Sequence, residues 1–157
     1  MINFLVKHKK ATKMIFLLSV VFMFIMSASL MMAYPASEKA FENNDKTPLA
    51  IDGAVFWGSF ILAYICFITV SLVRRKDVGK SQKSLPGILK FFSNPIAKIA
   101  DFGIIIFIVA LIVCAFLTDS FITFIFLFLT VFFVQMHGVF NGKNYVYIKS
   151  LKKSEGK

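Results

Sequence analysis

Four long apolar runs, separated by short polar and basic stretches, dominate the chain. The first, residues 14–34, reads MIFLLSVVFMFIMSASLMMAY and is followed by Pro35. The second is 53–73, the third 95–117, and the fourth 121–141, which contains FITFIFLFLTVFF. A helix rises 1.5 Å per residue, so about 20 residues cross a hydrocarbon core of about 30 Å. None of the runs shows the polar face that a helix on the surface of a soluble bundle needs. The pattern predicts an all-α fold. The expectation is a polytopic integral membrane protein, with four transmembrane helices in a small bundle forming a single membrane domain.

The polar stretches predict the connections. Residues 1–13 read as a basic arm, 35–52 as a short, mildly acidic loop, and 118–120 as a tight turn. Residues 142–157 read as a basic tail. Residues 74–94 divide in two: a basic part, then LPGILKFFSNP, whose apolar side chains suit a short interfacial helix over 85–93. An unstructured tether is the alternative there. Asn94 and Pro95 have the chemistry of an N-cap and a first helical residue, and Asp52 reads as an N-cap for the second span. The first run also has features of a secretory signal, with SAS at 27–29 as a weak cleavage motif. Its apolar stretch is longer than the about 7–15 residues of a signal core, which favours a retained anchor.

Charge adds direction. The net charge is +10, and 16 of the 18 basic residues flank the same side of the proposed membrane. The exceptions are Lys39 and Lys46, in the 35–52 loop. Basic loops stay in the cytoplasm, so both termini and the 74–94 loop are expected to be cytoplasmic and 35–52 external. The same lysines suit anionic lipid headgroups. No nucleic-acid motif accompanies the charge, so nucleic acid is not expected as a partner.

Candidate chemistry is sparse. No metal-ligand spacing, phosphate loop or nucleophile motif occurs, and no cofactor is expected. Cys66 and Cys114 should differ in depth by about 15 Å. A disulfide needs Cα atoms about 4.4–6.8 Å apart, so none is expected between them. Asp101 has Lys98 at i−3, which suggests an ion pair with Lys98 reaching outward. His137 and Asn141, at i and i+4, share a helix edge at the same cytoplasmic surface. A polar site, if one exists, is expected between Lys98, Asp101, His137 and Asn141. An enzyme would have only His137, Asn141 and Gln135 to draw on, and catalysis is not expected. Gly142 is expected in the left-handed position that ends the fourth helix, with Tyr145 and Tyr147 at headgroup level.

Small residues mark helix contacts in lipid. Gly58, Ser59 and Ala63 on the second span and Gly103 and Ala110 on the third suggest that these two spans approach closely. Gly138 is a further small residue, on the fourth span. The phenylalanines of the fourth span read as facing lipid or docking another protein's helices. This layout predicts a small non-catalytic protein of a bacterial inner membrane, acting by helix packing on another membrane protein. The plan is similar to that of immunity proteins against pore-forming bacteriocins, which would make the partner a membrane-inserting toxin. The similarity is one of layout: size, four spans, inside termini and short loops. The alternative is a subunit of a small channel or transporter, which would require a homo-oligomer.

Overall fold

The structure is a computed structural model that describes residues 1–79, 91–117 and 120–154. All regular structure among these residues is helical: α1 Ile2–Lys7, α2 Lys9–Glu42, α3 Thr47–Val78, α4 Pro95–Leu117, α5 Ser120–Phe140 and α6 Lys143–Ser154. Four of them, α2 to α5, are long and apolar enough to cross a membrane.

The helices depart from the expected lengths. Pro35 lies inside α2, which continues to Glu42. Proline inside an apolar helix is tolerated where neighbours hold the chain, and here α3 packs along α2. The expected loop 35–52 is therefore only 43–46. Asp52 does not cap α3, because the helix begins five residues earlier. The N-cap position is Lys46, which makes no side-chain cap bond, and Asp45 just before it accepts from the Thr47 N–H at 2.9 Å and the Thr47 hydroxyl at 2.6 Å. These bonds hold the exposed Asp45 carboxyl below its ordinary range.

Asn94 and Pro95 behave as their chemistry indicates. The Asn94 side chain accepts the Ala97 N–H at 3.0 Å, and α4 starts at Pro95. The proposed 85–93 interfacial helix lies mostly outside the described residues, as do residues 118–119 of the turn. At the far end, Gly142 is not left-handed; Gly79 is the positive-φ glycine among the described residues. The Gly142 N–H bonds the Val139 carbonyl at 3.2 Å, and after this tight turn the chain resumes as α6. Residues 143–154 of the basic tail are thus a packed helix. Tyr147 and Leu151 share a face and are buried against Leu5 and Val73. The basic arm is likewise folded: α1 and α2 meet at His8, and the Thr12 hydroxyl bonds the Leu5 carbonyl at 2.8 Å.

The long helices do not close into a bundle. α3 packs on α2, α2 on α5, and α5 on α4, in a single row. The end members α3 and α4 have no packed interface with each other among the described residues. This corrects the expected pairing of the second and third spans. A four-residue link makes α2 and α3 antiparallel neighbours, while the long 79–94 connection imposes no such adjacency. Ser59 and Ala63 are buried on the α2 side, whereas Gly58 is exposed and Ala110 and Gly138 are half-buried. Gly103 does mark a close approach, but to α5: a Cβ there would lie 2.5 Å from the Phe133 ring.

The α5 phenylalanines hold the row together. Phe128 and Phe132 meet Phe24 of α2 edge-on, at 6.5 and 5.5 Å between ring centroids. Phe126 and Phe133 lie against Phe107 of α4. Near the middle of the row the Ser27 hydroxyl donates to Gln135 Oε1 at 2.6 Å. Cys66 and Cys114 are both free.

Candidate functional site

The polar junction forms where α4 begins and α5 ends. Asp101 lies in the second turn of α4, and His137 and Asn141 lie in the last turn of α5 and just after it. All three are buried: Asp101 is 1% exposed, His137 3% and Asn141 6%. His137 Nδ1 contacts Asp101 Oδ1, and Asn141 Nδ2 stands 3.1 Å from the same ring nitrogen. A carboxylate only accepts, so the shared hydrogen is that of Nδ1–H, which fixes the ring's orientation.

The segment that enters α4 closes the junction. The Phe92 N–H donates to the second Asp101 oxygen. The Ser93 hydroxyl donates to Asn141 Oδ1, and the Asn94 amide donates to the Phe140 carbonyl at 3.2 Å. The Phe91 ring covers His137 with centroids 4.6 Å apart. Phe92 itself has φ 53°, a conformation that a bulky residue adopts only under constraint. Its N–H on Asp101 and its ring against Phe102, 5.3 Å away, supply that constraint. Asp101 therefore anchors one turn of backbone and one imidazole at once.

Three of the four expected site residues come together, and Lys98 does not. It is exposed, and among the described residues it forms no ion pair with Asp101. The three-residue spacing would allow such a pair, but the carboxylate turns into the helix interface, where His137 and the Phe92 N–H already use its oxygens. Chemically the junction is a clamp. An Asp–His pair is also what general-base catalysis uses, yet here the pair lies buried beneath an aromatic ring. No group of three or more His, Cys, Asp or Glu among the described residues is placed to hold a metal ion.

A second polar cluster went unanticipated. Asn144 of α6 is buried; its Oδ1 accepts from Ser71 and from Arg74 Nε, both at 3.1 Å, and its Nδ2 reaches the Phe67 carbonyl at 3.2 Å. One turn on, the Tyr147 hydroxyl donates to Asp77 at 2.7 Å. The spacing of Asn144, Tyr147 and Leu151 on one face is the signal that could have revealed α6. Burial, reinforced by the Asp77 carboxylate, holds the Tyr147 phenol above its ordinary range. A raised phenol pKa stabilises the docked helix fully below the usual value of 10.0, and that stability is lost as pH rises through the higher folded value. In an alkaline ultraviolet titration, Tyr147 is thus expected to ionise above the ordinary tyrosine range. Tyr147→Phe should delete that late step; an unchanged titration curve would refute the assignment.

Comparison with protein families, curated proteins and solved structures finds no match to this chain. Its class rests on the fold: an all-helical chain with four helices long and apolar enough to span a membrane, the hallmark of a multi-pass membrane protein.

Proposed function

We propose that this protein inserts in a bacterial inner membrane, with both termini cytoplasmic, and acts without catalysis by packing its open helix row against another membrane protein. Tyr64 carries the reading. It lies at the centre of α3, 58% exposed, and its hydroxyl has no hydrogen-bond partner among the described residues. Tyrosine belongs at the headgroup level, where its polar tip stays wet. The centre of the core is about 15 Å from either interface, too far for that tip to reach water. A hydroxyl left bare in hydrocarbon is costly, and a partner helix bearing an acceptor removes the cost.

The surroundings support the same edge. Trp57, Phe60 and Tyr64 form an exposed aromatic ladder, with neighbouring rings 5.9 and 6.3 Å apart. Aromatic residues enrich the centres of protein interfaces. In its most specific form the partner is a membrane-inserting toxin and the protein confers immunity to it. The lysines at the cytoplasmic end hold anionic headgroups in either case. A photoreactive amino acid at position 64, activated in native membranes, should join this chain to one defined protein. Labelling of lipid alone would overturn the proposal.

A channel or transporter subunit remains the second reading, favoured by one observation, the buried Asp101–His137 pair. Ionisable groups within membrane helices mark ion and proton paths. Here the pair lies near helix ends rather than at mid-depth, which favours a structural role. Ion flux through liposomes carrying the purified protein would establish this reading instead.

A further inference from the structure

We infer that the α2–α3 hairpin carries a binding groove for a zwitterionic phospholipid, with phosphatidylethanolamine as the headgroup chemistry that fits. The inference rests on membrane insertion but is independent of any protein partner.

A groove of about 460 Å³ runs between the two helices on their 43–46 side. Its α2 wall begins at Phe24 and Ile25, passes Ala28 and Met32, and ends at Lys39. Ile51, Asp52 and Val55 form much of the α3 wall. Ligand sites commonly have volumes of about 300–1,000 Å³, apolar walls and a few placed polar groups. From Phe24 to Lys39 the groove follows α2 for about 22 Å at 1.5 Å per residue. One leaflet has about 15 Å of hydrocarbon plus a headgroup layer of about 6 Å. The α2 wall therefore matches the depth of one lipid leaflet, and the shorter α3 wall, Pro48 to Val55, lines about 10 Å of it at the 43–46 end.

Its charges are confined to one end. Lys39 lies three residues before the end of α2, and Asp52 five residues after the start of α3. The helices are antiparallel, so the two backbones differ in height by about 3 Å. Neither side chain has a hydrogen-bond or ion-pair partner among the described residues. Asp52 is half-buried. A half-buried carboxylate without a partner is costly, and a cation supplied from outside removes that cost. A phosphoethanolamine head presents an ammonium for Asp52 and a phosphate for Lys39, while its acyl chain lies along Met32, Ala28 and Ile25. Phosphatidylglycerol offers Lys39 its phosphate but brings no cation to Asp52. Phosphatidylcholine has the cation without N–H donors.

The test is native mass spectrometry of the intact protein from mild detergent, titrated with phosphatidylethanolamine, phosphatidylglycerol and phosphatidylcholine. The expected result is one tightly held phosphatidylethanolamine, preferred over each competitor by about fivefold, the most that one exposed ion pair typically supplies. Asp52→Asn should abolish the preference while lipid is still bound. Lys39→Gln should weaken all three lipids. Ala28→Trp should exclude lipid from the groove at unchanged helicity; if that variant does not fold, the loss of preference in Asp52→Asn still tests the site. Equal retention of the three lipids, no retained lipid on the folded protein, or an Asp52→Asn variant with its preference intact would each overturn the inference.

Discussion

Asp101→Ala is expected to destabilise the protein by about 1–3 kcal/mol for each buried group left without its hydrogen-bond partner. The loss has three parts. His137 would keep a buried imidazole without its acceptor. The Phe92 N–H would lose the carboxylate that accepts it, and the strained turn at φ 53° would lose a constraint. His137→Ala should cost less, because Asp101 keeps the Phe92 N–H. The double variant should cost clearly less than the sum of the singles, since one interaction is counted in both. Unfolding in mixed detergent micelles measures all three. A cost below about 1 kcal/mol for Asp101→Ala, no more than an ordinary surface change, would contradict the clamp.

The second large effect is expected at Gly103. A Cβ there would fall 2.5 Å from Phe133 Cγ and Cδ1, too close for the ring to stay where it is. Overpacking of this kind costs about 1–3 kcal/mol. Gly103→Ala should therefore loosen α4 from α5, and adding Phe133→Leu should recover part of the loss. Gly58→Ala is the control. A methyl group at that position would meet nothing within 4 Å, and the position is exposed. It should change stability by no more than about 0.5 kcal/mol or raise it slightly, since alanine favours the helix. Thermal unfolding of the two variants side by side decides the matter; equal losses would mean that α4 and α5 do not meet at Gly103.

These two glycines also show where sequence reasoning stops. Both read as small residues suited to close helix contact, and only the arrangement of the helices separates them. The long helices were legible because length and hydropathy are local properties, and so was the Asn94–Pro95 start of α4. Their arrangement was not, because a helix apolar on every side carries no mark of which face meets a neighbour. The phenylalanines of α5 read as facing lipid or docking another protein's helices for the same reason, whereas several of them join α2 to α4 within the chain.

The site was legible in part. Asp101, His137 and Asn141 were placed at one surface by helix direction alone. The expected partner of Asp101 was nevertheless Lys98, because helical spacing displays neighbours within a helix and conceals those across an interface. Phe92 had no local signal: its turn is held by Asp101, which accepts its N–H, and by the Phe102 ring. In α6 the lysines drew attention to charge and hid the Asn144–Tyr147–Leu151 face.

The row of helices is also uneven from end to end. Near His137 and Tyr147, α1 and α6 thicken it, whereas past Tyr34, which meets Phe121 and Phe124, α2 and α3 alone continue among the described residues. Placed in a bilayer, a body thickened at one end would displace more lipid from the leaflet on that side than from the other.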